Sequence, residues 1–188
     1  MASTPASWRS EAQPFDRIML YRGDITRVDT AAIVNAANAS ILGGGGVDGA
    51  IHREGGPAIV EECRRIRLAD YPDGLPTGQA VITTGGKLPA GRVIHTVGPI
   101  WHGGLLGEPD LLAACYRNSL LLAAENNLDS VSFPGISTGA YGYPKDEAAS
   151  VAVREVRKFL ARHARPQTVV FVTFDEESRQ LYEQELSR

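Results

Sequence analysis

The sequence predicts a three-layer α/β/α domain around a central sheet of six strands, mixed but mostly parallel. Three observations lead there. Short runs rich in Val, Ile and aromatic residues alternate with longer helical patterns almost throughout, the arrangement that places helices on both faces of a parallel sheet. The connection KLPAGR at 87–92 is hairpin-short and so implies an antiparallel strand among the parallel ones. The chain of 188 residues, 43% hydrophobic and 22% charged, is long enough for one well-buried core.

Taken in order, residues 1–15 are rich in Ser, Ala and Pro, carry no sustained periodicity, and are expected as a flexible N-terminal tail before a domain spanning 16–188. Trp8 and Phe15 are its candidate docking points. The expected strands are RIMLYRG (17–23), AAIVNAA (31–37), QAVITTGG (79–86), RVIHTVGP (92–99), SVSFPGI (130–136) and TVVFVTF (168–174). Helical patterns occupy 47–55, 57–68, 108–127, 144–163 and 176–187. Pro57 and Pro144 suit first-turn positions, and Asp175 is placed to cap the last helix. In the fourth helix Ala149, Val153, Val156 and Leu160 form one apolar stripe, with Lys145, Arg154 and Lys158 elsewhere.

Composition excludes several classes. A net charge of −3 supplies no broad basic surface for a nucleic-acid duplex. Cys63 and Cys115 are the only cysteines, both in helical segments, so neither a disulfide framework nor a closed zinc site is expected. No apolar run is long enough to cross a bilayer, and the N-terminus lacks the apolar centre of a secretory signal, so a cytoplasmic protein with no membrane partner is expected.

In open α/β sheets ligands bind beyond the carboxyl ends of strands, where loop amides and helix N-termini converge. The unusual segments fall there: GDIT (23–26), NAAN (35–38) followed by GGGGVDG (43–49), GISTGAYGYP (135–144), and FDEE (174–177). The four glycines at 43–46 give either an anion cradle leading into a helix or a plain flexible loop. No GxxxxGK[ST] is present, and the first strand lacks a following GxGxxG, so neither a P-loop nor a Rossmann site matches. The second loop offers successive amides and the hydroxyls of Ser137 and Thr138, either as a second cradle or as a tight turn satisfying its own backbone. Two facing amide-rich loops fit a diphosphate better than a single phosphate.

The motifs GDIT, NAAN, GGGGVDGAIHREGG, TGQAVITTGG, VIHTVGPIW and GISTGAYGYP, in that order, resemble the macrodomain family and within it the MacroD-type ADP-ribosyl hydrolases, from about Arg17 to the C-terminus. The resemblance implies an ADP-ribose cleft across the C-terminal edge of the sheet. On it, Asp24 accepts from the adenine amino group beside the Ile25 amide, unless it is simply a turn aspartate; Phe174 stacks on adenine or belongs to the core. Gly45, Gly46 and Val47 on one side, and Ser137, Thr138, Gly139, Ala140 and Tyr141 on the other, cradle the diphosphate and ribose, with Tyr141 over the distal ribose. Asn38 and Asp48 face the scissile bond as catalytic residues, Asn35 pins the loop backbone, and His52, one turn beyond Asp48, either shapes the pocket or packs the helix; His95 is structural.

The implied chemistry is hydrolysis of the ester between the distal ribose of ADP-ribose and an Asp or Glu side chain, and deacetylation of O-acetyl-ADP-ribose. Such an acyl ester needs an oriented water and stabilised developing charge but no Ser-His-Asp relay. Asp48 would hold the water, a substrate phosphate sharing the base work, and Asn38 the ribose hydroxyls. The implied partners are ADP-ribose, ADP-ribosylated proteins and O-acetyl-ADP-ribose; no cofactor or metal is implied, and a monomer is expected. Two departures from the family pattern stand out: Glu54 in place of an alanine and Ala140 in place of a larger aliphatic residue. The alternatives are a non-catalytic ADP-ribose reader and an ADP-ribose-1''-phosphate phosphatase using the same cleft.

Overall fold

The computed structural model describes residues 7–188. In chain order the elements are α1 (Ser7–Glu11), β1 (Gln13–Phe15), β2 (Ile18–Arg22), β3 (Ala32–Ala37), α2 (Gly46–Gly55), α3 (Pro57–Ala69), β4 (Ala80–Thr84), β5 (Arg92–Val97), α4 (Glu108–Glu125), β6 (Ser130–Phe133), α5 (Lys145–Leu160), β7 (Thr168–Thr173) and α6 (Glu176–Leu186), with a 3-10 turn at Ile25–Arg27. The sheet runs β1-β2-β7-β6-β3-β5-β4. Its five central strands are mutually parallel, and both edge strands are antiparallel, β4 by the short connection that predicted it.

The sheet therefore has seven strands where the sequence led us to expect six, and the extra one lies in the segment expected as a tail. Gln13–Phe15 folds back on Ile18–Leu20 through Asp16, whose φ of 60° makes the tight turn. Trp8 on α1 is buried, donates from Nε1 to Asp29 Oδ1 at 2.8 Å and lies 5.8 Å from the Tyr21 ring. One large apolar anchor thus outweighs a Ser- and Pro-rich composition, and the domain reaches back at least to Ser7 rather than starting at 16. Residues 1–6 of the expected tail lie outside the described residues.

Alternation along the strands divides the core in two. Ala32 and Val34 of β3 face one cluster with α4, α5 and α6; Ile33 and Ala37 face a second with α1, α2 and α3. The expected stripe on α5 is buried throughout. In the first cluster Tyr116, Phe133, Phe171 and Tyr182 form a chain of tilted rings with centroids 4.8–6.3 Å apart, each such pair adding about 0.5–1.5 kcal/mol beyond area burial. β6 stops at Phe133 because Pro134 has no N–H to continue the ladder. Pro57 opens α3, and Asp175 caps α6 by accepting from Ser178 N at 2.7 Å.

Candidate active site at the C-terminal edge of the sheet

Since β2, β7, β6 and β3 are parallel neighbours, the loops that leave their C-terminal ends emerge side by side on one edge. In spatial order these carry Asp24, Phe174, the 135–144 loop and the 38–45 loop. Four sequence-selected segments separated along the chain are thereby brought onto one track.

At the β3 end, Gly45 precedes α2 as a cap without a side chain, and Gly46, its first residue, adopts the left-handed φ of 57°. Asp48 sits in the first helical turn, where the macrodipole favours a negative charge. It is only 5% exposed. Oδ1 accepts from Asn35 Nδ2 at 2.8 Å and lies 3.3 Å from His52 Nε2. That second approach is poorly aligned, and both His52 nitrogens are buried without a hydrogen-bond partner, so His52 touches Asp48 rather than holding it. Oδ2 faces the tetraglycine loop: an ideal Cβ on Gly44 would lie 3.0 Å from Oδ2 and 3.1 Å from Asn38 Nδ2. Asp48 and Asn38 thus meet against the bare α-carbon of Gly44, a residue absent from the sequence-based site.

Of the two asparagines, Asn35 departs from its expected role of pinning the loop. Asn38 is the one that shapes the loop: Nδ2 donates to Gly43 O at 3.0 Å, and Oδ1 accepts from Ser40 N at 3.0 Å and from the Ser40 hydroxyl. Asn35, expected to pin backbone, is fully buried on β3 and bonds Asp48 and His95 instead. The reason is the strand's end: Asn35 lies within β3 on the α2 face between Ile33 and Ala37, while Asn38 falls just past its last residue. His95, expected as merely structural, has Nδ1 3.1 Å from Asn35 Nδ2 and Nε2 2.9 Å from Thr83 Oγ1. Burial, reinforced by neighbouring His52 against the opposing pull of Asp48, holds its imidazole down at about 3.

The 135–144 loop is folded by its own main chain, Gly142 N donating to Gly139 O and Tyr143 N to Ser137 O, and is tied to the β5–α4 loop by Trp101 N donating to Tyr141 O, all at 2.8–3.0 Å. Ser137 has a left-handed φ of 65° and a buried, unpartnered Oγ. Gly98 presses on it so closely that any Cβ there would collide with Ser137 Oγ and Ile136. Gly139 and Ala140 are exposed, and nothing lies within 4 Å of where a Gly139 Cβ would project. Glu108 braces the adjoining β5–α4 loop: against the cost of desolvation, the amides of His102, Gly104 and Leu106 hold its carboxyl down at about 2. Sequence reading missed Gly98 and Glu108; an acidic residue heading a helix after a glycine-rich loop was the available signal for the second.

At the other end of the track Asp24 caps the 3-10 turn, Oδ1 accepting from Thr26 N at 2.9 Å, while Oδ2 keeps only a loose 3.6 Å approach to Arg27. Ile25 is buried. Phe174 is 88% exposed, which removes the core alternative. Glu54 lies exposed near the end of α2, 3.8 Å from Arg53. A separate cavity of 570 Å³ at the opposite edge, lined by Phe15, Arg17, Ile18, Arg157 and Leu160, carries no comparable chemistry. Its two arginines donate to main-chain carbonyls.

Comparison with known proteins places the sequence and the fold. The sequence matches the Macro domain family over residues 34–152. It is 55% identical over 172 residues to a Citrobacter koseri protein named O-acetyl-ADP-ribose deacetylase, covering 92% of this chain and 96% of that one. Among solved structures, the Oceanobacillus iheyensis macrodomain with ADP superposes with a TM-score of 0.87 at 43% identity, covering 94% of each chain. A Trypanosoma brucei macrodomain in complex with ADP-ribose superposes with a TM-score of 0.84 at 43% identity, covering 93% of this chain and 74% of that one. This chain belongs to the macrodomain family.

Proposed function

We propose that this macrodomain is of the MacroD type: it binds ADP-ribose along the C-terminal track and hydrolyses acyl esters of its distal ribose. Its substrates are O-acetyl-ADP-ribose and mono-ADP-ribosylated Asp or Glu side chains, acted on by a monomer in the cytoplasm. The observation that carries the reading is Asp48, a shielded carboxylate whose Oδ2, like Asn38 Nδ2, lies against the bare α-carbon of Gly44 in the glycine loop. Burying a carboxylate is costly, and here only one oxygen is satisfied, by Asn35, while the other is left toward the glycine loop where a water can be held. The relatives' names and ligands support the same reading. From β2 to β3 the track covers three strand steps, about 14 Å, which suits an elongated ligand with Asp24 and Phe174 at the adenine end.

In the reaction, Asp48 Oδ2 accepts a proton from a water whose oxygen attacks the acyl carbon. The bond from that carbon to the ribose oxygen breaks, and the proton passes to the departing ribose oxygen, giving ADP-ribose and the free acid. Asn38 orients the ribose hydroxyls, the amides of Gly45, Gly46 and Val47 and of Ser137 to Tyr141 hold the diphosphate, and a phosphate oxygen shares the base work. A positioned general base contributes about 10² to 10⁴-fold.

The test is to incubate the protein with O-acetyl-ADP-ribose and, separately, with a glutamate-linked mono-ADP-ribosylated target, and to follow free ADP-ribose by mass spectrometry. Release from both is expected. Tight ADP-ribose binding with release from neither would leave a reader, and release of phosphate from ADP-ribose-1''-phosphate alone would leave a phosphatase.

A further inference from the structure

We propose that Asn35 is a positioning residue for Asp48, and that a buried row running Thr83, His95, Asn35 across three strands fixes which carboxylate oxygen faces the cleft. The inference rests on the hydrolase reading for its kinetic readout. Asn35 cannot touch substrate, because it is fully buried, as are His95 and Thr83.

Register builds the row. Asn35 of β3 pairs directly with His95 of the adjacent parallel β5, and Thr83 of β4 sits beside His95 on the same face. Hydrogen-bond chemistry then fixes its polarity. Asn35 Nδ2 lies 2.8 Å from Asp48 Oδ1 and 3.1 Å from His95 Nδ1. An amide NH₂ has two donors, enough for both. The flipped amide would set its carbonyl oxygen against a carboxylate oxygen, so that orientation is excluded by repulsion. His95 Nδ1 must therefore be bare, and the ring proton sits on Nε2, donating to Thr83 Oγ1 at 2.9 Å, which in turn donates to Thr84 O at 3.0 Å. Cys63 Sγ, 3.7 Å from Nε2 on the α3 side, is the remaining neighbour, and burial pushes its thiol up to about 12.

The consequence reaches the cleft. With the opposite His95 tautomer, Nδ1–H would demand the amide oxygen, and Asp48 would lose its donor. With Nδ1 bare, Oδ1 is tethered inward and Oδ2 is left against Gly44 and Asn38. His52, within 3.3 Å but unaligned, supplies no substitute tether.

Asn35→Ala should lower kcat on O-acetyl-ADP-ribose by about 10- to 100-fold, the scale of a misplacement near 1 Å, while KM and the ADP-ribose Kd stay within about twofold. A merely structural role would instead shift the Kd and KM with the Tm. Rescue separates the two further. His95→Asn keeps an acceptor near the place of Nδ1 and should retain kcat within about threefold, whereas His95→Leu, with a comparable loss of Tm, should fall with Asn35→Ala. If Asn35→Ala does not fold, Thr83→Val removes only the far end of the row and should still lower kcat at constant KM. Independently of turnover, ¹⁵N NMR of the ligand-free wild type should show His95 neutral with the proton on Nε2. A wild type without activity would overturn the hydrolase reading but leave this readout standing. An Nδ1–H tautomer, or an undiminished kcat in a folded Asn35→Ala protein, would overturn the proposal itself.

Discussion

Replacing Gly44 by alanine tests the site with a single methyl group. The backbone at 44 lies outside the left-handed region, so alanine brings no strain of its own, and the lower unfolded-state entropy favours folding by about 0.4–1 kcal/mol. The new Cβ would stand 3.0 Å from Asp48 Oδ2 and 3.1 Å from Asn38 Nδ2, against 3.4 Å for an ordinary contact. Each group must give by about 0.3–0.4 Å, and neither gives freely: Asn35 tethers Asp48, and Gly43 O with Ser40 tether Asn38. If a displacement near 1 Å costs about 100-fold, this one should cost about four- to sixfold in kcat, about 0.8–1.1 kcal/mol of barrier. Steady-state hydrolysis of O-acetyl-ADP-ribose, quantified by chromatography, reads the rate; calorimetry with ADP-ribose reads binding, expected within about twofold. The control is Gly91→Ala, just before β5 at the opposite edge of the sheet, whose Cβ meets only Ala31 O at an ordinary 3.7 Å and should leave kcat unchanged. Wild-type turnover in Gly44→Ala, or an equal loss in Gly91→Ala, would refute the claim that reaction takes place where these two side chains converge.

Asp48→Ala should lower hydrolysis by about 10² to 10⁴-fold while keeping ADP-ribose binding, and unchanged turnover removes Asp48 from the mechanism. Gly139→Glu projects a carboxylate from an open position of the second cradle and should abolish ADP-ribose binding; a calorimetric titration with wild-type affinity would count against the cradle. Phe174→Ala should weaken ADP-ribose by about 5- to 150-fold, the worth of one base stacked on an aromatic ring, with no change in Tm because the ring is exposed; an unchanged Kd would place adenine elsewhere. Stability should depend on pH through His95: burial holds it at about 3, below its ordinary 6.5, so the unfolded chain takes up a proton that the folded one refuses. That contribution is complete above 6.5 and is lost as pH falls towards 3, by at most about 1.4 kcal/mol per unit. His95→Asn should flatten the profile of urea midpoint against pH in that window, and a profile parallel to wild type would contradict the assignment.

The layers and most of the track are legible in the sequence because their signals are local. Alternating runs mark the strands, a six-residue link marks the β4–β5 hairpin, and glycine-rich loops after strands mark the ligand edge. α1 and β1 escaped because what holds them is one contact set, Trp8 against Asp29 and Tyr21, in a segment whose average composition reads as tail. That Asn38 rather than Asn35 pins the loop backbone escaped for a subtler reason. Three residues apart in a strand that ends between them, they differ only in whether the chain is still pleated, and strand ends are the least legible feature of a sequence.

The positioning row lies one level deeper. A polar residue at an inward position of an apolar strand is visible in AVITT and VIHTV, and a buried polar group must find a partner. Yet intrusion alone does not point to the cleft: Thr30 and Ser132 also bond at 2.8 Å in the core, near the opposite edge of the sheet. Only register discriminates, because it decides that His95 stands opposite Asn35 and that Asn35 stands beneath Asp48. The loops that grip a ligand are written where they act, whereas the groups that aim its carboxylate are scattered over three strands and become one device only when those strands align.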